Sequence, residues 1–152
     1  MVKSKRFKPI VDLAHNSERE AAKALGAALQ QLNDSQEQLR QLQAYREEYG
    51  QRLQQVGNQG MSGQTLNEYR QFIIKIGAAI ESQTAVVAQM ETALEEKKQF
   101  WFSRRGRSRA LDSVLDHYLE NERKQLDRRD QREQDDRSGR TGRDTGNNSG
   151  NE

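Results

Sequence analysis

The stretch GNQGMSG, residues 57–63, puts three glycines into seven residues and interrupts an otherwise helical pattern. Such a glycine cluster is a turn signal. On both sides of it, apolar and small residues recur every seven positions, the repeat of a coiled-coil seam. Upstream, one column holds Val11, Leu25, Leu32, Leu39 and Leu53, interrupted by Glu18 and Arg46. The second holds Ala14, Ala21, Ala28, Leu42, Tyr49 and Val56, with Ser35 among them; its small side chains let two helices approach closely. Downstream, Leu66, Ile73, Ile80, Val87, Leu94 and Trp101 form one column, and Tyr69, Ile76, Gln83, Met90 and Lys97 the other. A looser continuation runs through Leu111, Leu115, Tyr118 and Leu126. A short connection between long helices makes them antiparallel neighbours. The expected fold is therefore all-α: a long antiparallel two-helix coiled-coil hairpin with a disordered C-terminal tail.

Local signals set the expected boundaries. Residues 1–8 read as a basic lead, and Pro9 suits a first helical position, where its missing N–H would be unpaired anyway. Helix one is expected over about 9–56, the turn over 57–64 and helix two over about 65–131. Thr65 with Glu68 has capping-box spacing for the second start. The register around the turn sets Val56 against Leu66, Leu39 against about Gln83 and Val11 against about Leu111. From Arg132 to Glu152 no apolar side chain occurs, so 132–152 is expected to be a disordered polar tail.

Composition excludes most other classes. Only 32% of the 152 residues are hydrophobic, too few for a wide core, and 32% are charged. Cysteine is absent, so neither disulfides nor thiol chemistry enter, in keeping with a reducing cytoplasm. No apolar run approaches the roughly 20 residues of a membrane span, and Met1 to Leu13 lacks the apolar stretch of a signal peptide. No cleaved export signal and no direct membrane span are expected. The two histidines, His15 and His117, are not brought together by the register, and neither clustered metal ligands nor a phosphate-binding glycine loop occurs. The chain reads as non-enzymatic, with no cofactor and no metal.

Two segments are candidates for binding. AYREEY at 44–49 and the stretch 68–83 hold Tyr45, Tyr49, Tyr69 and Phe72 in a chain that is only 6% aromatic. The seam takes Leu42, Tyr49, Tyr69, Ile73 and Ile76, while Tyr45 and Phe72 fall at its flanks, with Ile74 and Ala79 adding apolar surface. They form an exposed contact patch, or they lean across and seal the seam. The second segment, QFWFSRRGRSR at 99–109, follows Phe100, Trp101 and Phe102 with Arg104, Arg105, Arg107 and Arg109; KSKRFK at 3–8, with Phe7, is expected near the same end. Three readings stand for it: stacking and phosphate contacts to nucleic acid, docking into an acidic socket on a protein, or solvated charge.

The motifs AYREEY at 44–49 and YRQFIIKIGAAIESQ at 69–83, with Trp101 before a basic stretch, resemble those of the flagellar export protein FliJ family. The resemblance covers about residues 5–130. It implies an antiparallel coiled coil similar to the central stalk of rotary ATPases. It also implies a non-enzymatic component of the bacterial flagellar type III export apparatus. Such a stalk binds and promotes assembly of the export ATPase hexamer, couples it to the cytoplasmic part of the membrane export gate, and handles export chaperones. The family's gate-binding surface falls here on Gln38, Leu42, Tyr45, Tyr49, Phe72, Ile76, Ala79 and Gln83. The ATPase-facing ends carry over only as regions, about 3–20 and 100–125, within which Phe7, Phe100, Trp101, Phe102, Arg104, Arg105, Arg107 and Arg109 are the candidates. The implied location is cytoplasmic, peripheral to the membrane at the flagellar base, with no nucleic-acid partner. The equivalent stalk of a virulence type III secretion system, a nucleic-acid-binding hairpin using Arg104 to Arg109, and a passive dimerising spacer are the alternatives.

Overall fold

The structure, a computed structural model, describes residues 2–146. Two long helices pack against each other: α1 spans Lys3–Asn58 and α2 spans Gly63–Gly146. No strand occurs among the described residues. The all-α helical pair expected from the heptads is thus present. Contacts divide it into two units, residues 18–104 and residues 1–17 with 105–152.

In the unit of residues 18–104, Ala21, Ala28, Leu32, Ile76, Ile80 and Val87 are buried. All of them lie in the expected columns. Assigning the first column of each helix to heptad position a and the second to d, burial follows a and d. Ser35, an apparent flaw in the seam, is also buried, and its carbonyl accepts a hydrogen bond from Gln83 Nε2 at 3.0 Å. The same Gln83 Nε2 donates to Gln38 Oε1 at 3.2 Å, so the observed register lies within one helical turn of the expected Leu39–Gln83 pairing.

The turn is shorter than expected, because two of its three glycines are helical. Between the two helices only residues 59–62 are non-helical. Gly60 alone has a left-handed φ, 79°, which a residue without Cβ adopts at no steric cost. Gln59 N–H donates to Val56 C=O at 3.1 Å, tightening the end of α1. The start of α2 is capped by Ser62, not Thr65. Ser62 Oγ accepts from Thr65 N–H at 3.4 Å and bonds to Thr65 Oγ1 at 2.9 Å. Ser62 is itself a good N-cap three residues ahead of Thr65, so the helix begins one turn earlier than the Thr65/Glu68 spacing suggested.

The other unit buries Ser4, Val11, Ala14 and Ser108, the last only 1% exposed. Ser4 and Ser108 fall on the a column, so the heptad of α2 continues unbroken where the sequence looked loose. No buried side-chain polar atom among the described residues lacks a hydrogen-bond partner. Leu126 misses the a and d positions by one residue and is exposed.

Pro9 does not open α1; it lies inside it, because the helix already starts at Lys3. The early start is held by tertiary contact. Glu122 Oε1 accepts from Ser4 N–H at 3.1 Å and Oε2 from Ser4 Oγ at 2.7 Å, which supplies α1 with a carboxylate cap from α2. Phe7 packs edge-on against Tyr118, ring centroids 5.4 Å apart. His15 Nε2 and Asp112 Oδ1 meet at 2.8 Å. These neighbours lie within a heptad of the expected Val11–Leu111 pairing. Beyond Glu122 every side chain through Thr141 is exposed, yet α2 continues to Gly146, well past the expected end near residue 131. Contacts between residues four apart, such as Arg129–Glu133, are compatible with helix there without any packing partner. Residues 147–152 of the expected tail lie outside the described residues.

Candidate partner-binding faces

Heptad geometry explains how the tip residues come together. Positions g and c flank one side of an a/d seam, and e and b flank the other; in an antiparallel pair g faces g and e faces e. Gln38, Tyr45, Phe72 and Ala79 all occupy g, and Leu42, Tyr49, Ile76 and Gln83 all occupy d. The residues implied as the gate-binding surface therefore share one flank of residues 18–104 and the seam beneath it.

Their exposure divides them. Tyr45 is 54% exposed and Phe72 43%, so both present aromatic surface. Phe72 also leans onto Tyr49, ring centroids 4.6 Å apart, and Tyr49 lies 6.4 Å from Tyr69. The sealing and contact readings are thus combined in Phe72. Ile76 is only 7% exposed and belongs to the core. Leu42, Tyr49, Ala79 and Gln83 are half-buried. Ile74, which seemed to extend this patch, occupies b on the other flank.

Two participants carried no obvious sequence signal. A shallow groove of about 180 Å³ is lined by Tyr49, Glu68, Tyr69 and Phe72, which places a carboxylate beside the aromatic cluster. Arg52 stacks over Tyr49 at 5.4 Å from its centroid. Arg52 occupies g, one heptad beyond Tyr45, so heptad lettering would have found it; Glu68 lies at c, one turn before Phe72.

The basic aromatic segment is split between the two units. In residues 18–104, Arg104 lies over Phe100 at 4.8 Å, and the Trp101 and Phe102 rings are 5.0 Å apart. Phe100 and Phe102 are exposed, and Trp101 is half-buried. In the other unit Arg107 and Arg109 are exposed, Arg105 is half-buried, and Phe7 is engaged by Tyr118.

Among the described residues no group of three or more His, Cys, Asp or Glu side chains could hold a metal ion. His15 is paired with Asp112, and His117 with Asn121 at 3.3 Å. No helix of the described residues is long and apolar enough to cross a membrane.

In each unit the fold is an antiparallel pair of helices with exposed aromatic or charged groups on the flanks of its seam. The chain belongs to the FliJ family: the family model described as "Flagellar FliJ protein" matches residues 3–147. Members are non-catalytic coiled-coil stalk proteins, which makes this chain a component of the flagellar export apparatus. No curated protein and no solved structure matches it.

Proposed function

We propose that this chain is the rotor-like stalk that binds the export ATPase hexamer, promotes its assembly and couples it to the cytoplasmic part of the membrane export gate. In this reading it works at the cytoplasmic face of the membrane, also receives emptied export chaperones, and performs no chemistry of its own. The observation that carries the gate assignment is the pair Tyr45 and Phe72, exposed together on one flank above a packed seam. Exposed aromatic groups surrounded by polar ones are typical binding anchors. The ATPase-facing assignment falls to Phe7, Phe100, Trp101, Phe102, Arg104, Arg105, Arg107 and Arg109, of which Phe100, Phe102, Arg107 and Arg109 offer the most surface.

The test is a binding assay between the purified chain and the gate's cytoplasmic portion. Tyr45→Ala combined with Phe72→Ala is expected to abolish binding while circular dichroism shows unchanged helicity. Binding that survives the double substitution overturns the assignment. Stimulation of the ATPase by the same variant is expected to persist, since its proposed contacts lie elsewhere.

A further inference from the structure

The spacing of Thr65 and Glu68 assigns Glu68 to a helix cap, but Ser62 caps α2 and leaves that carboxylate without a capping role. The first turn of α2 lies upstream of Glu68 and holds no acid. Three and four positions away along α2 stand Gln64, Thr65, Gln71 and Phe72, none of them a cation. Among the described residues Glu68 has no hydrogen-bond or ion-pair partner, and its side chain is exposed. It stands at the groove of about 180 Å³ that Tyr49, Tyr69 and Phe72 complete. Those three rings form an aromatic wall, Tyr49 lying 4.6 Å from Phe72 and 6.4 Å from Tyr69 between centroids. An aromatic face attracts a cation, and a carboxylate beside it adds a full opposite charge. The wall already takes a cation from within: Arg52 lies 5.4 Å from the Tyr49 centroid and is bonded to Glu48 at 2.8 Å. Arg52 and Glu48 neutralise each other, so the charge lining the groove is that of Glu68.

We propose that this groove is a receptor for one guanidinium group, an arginine side chain of the protein that docks on the Tyr45–Phe72 flank. The assignment rests on the reading of that flank as the gate face, and it adds the chemistry of one residue on the partner. Arginine fits better than lysine, because its planar group stacks on a ring while its N–H fork reaches a carboxylate. At about 180 Å³ the groove is smaller than pockets that enclose whole small molecules, and it suits a single side chain. Because Glu68 is exposed, its attraction for a cation is modest and weakens with salt. Tyr45 and Phe72 then act as the anchors, and Glu68 selects the charge that lands beside them.

The experiment titrates acetyl-arginine amide into the purified chain and follows the ring protons of Tyr69 and Phe72 by NMR. Acetyl-citrulline amide, which keeps the shape without the charge, and acetyl-leucine amide are the controls. Arginine should give saturable shifts at these rings and bind at least about threefold more tightly than either control. Glu68→Gln should erase that preference. Glu96→Gln, the same charge change at the same heptad position farther along α2, should retain it. Both side chains are exposed, and circular dichroism verifies that the variants stay helical. In the gate-binding assay, Glu68→Gln should weaken association by about two- to fivefold and flatten its salt dependence. An equal response to arginine, citrulline and leucine overturns the proposal. So does no response to arginine, or gate binding that Glu68→Gln leaves unchanged. The amide titration contains no gate, so a chain that selects arginine yet fails to bind the gate refutes the gate assignment and leaves the groove's selectivity standing.

Discussion

Glu122 of α2 caps the first turn of α1, accepting from the N–H of Ser4 at 3.1 Å and from its hydroxyl at 2.7 Å. One carboxylate thereby replaces the local acidic cap that the first turn of α1 lacks. It also explains why helix begins six residues ahead of Pro9. Glu122→Ala is expected to cost about 1–2 kcal/mol, the range for losing a cap that is also a charge-assisted hydrogen bond. Amide hydrogen exchange over residues 3–8 should accelerate, with exchange at Ile76 and Ile80 unchanged.

The glycines around the turn should respond in opposite directions. Gly57 is helical with open space where a Cβ would stand, so Gly57→Ala should stabilise by roughly 0.5–1 kcal/mol. Gly60 sits at φ 79°, so Gly60→Ala should destabilise by about 1 kcal/mol or more. Thermal melts of the two single variants check this. A parallel shift of both would contradict the assignment of the turn to residues 59–62.

Within the proposed gate face, stability separates the anchors from their support. Ile76→Ala should cost about 2–4 kcal/mol, as for deletion of a buried aliphatic side chain. Tyr45→Ala should change stability by less than about 0.5 kcal/mol, because its ring is mostly in solvent. Urea titrations followed by circular dichroism measure both. Loss of gate binding in the Ile76 variant would then be read as loss of the platform under Tyr45 and Phe72.

Gln83 ties the same face together by bonding to Ser35 C=O and Gln38 Oε1. Gln83→Ala should cost about 0.5–1.5 kcal/mol. A double-mutant cycle with Gln38→Ala should show coupling of a few tenths of a kcal/mol, since their shared contact is exposed. Strict additivity would remove Gln38 from the network.

Much of the candidate face was legible in the residues themselves. Tyr45 and Phe72 stand off the seam columns in the sequence, and they stand off the core in the structure. Ile76 lies in a seam column of the sequence and is buried, so the heptad separates it from Tyr45 and Phe72 although one motif holds it with Phe72. Ser4, Ser108 and Glu122 were illegible. A small or acidic polar residue carries no apolar signal, and its burial or bonding depends on a neighbour roughly a hundred positions away.

The sequence by itself determined two long helices, their antiparallel order and nearly every seam position, because a seven-residue apolar repeat is written locally and survives any choice of partner. Tertiary structure decided where α1 begins, which of three glycines makes the turn, and which serine starts α2. Those outcomes rest on cross-helix neighbours and on the backbone reversal at Gly60, which take effect only once the two helices are packed.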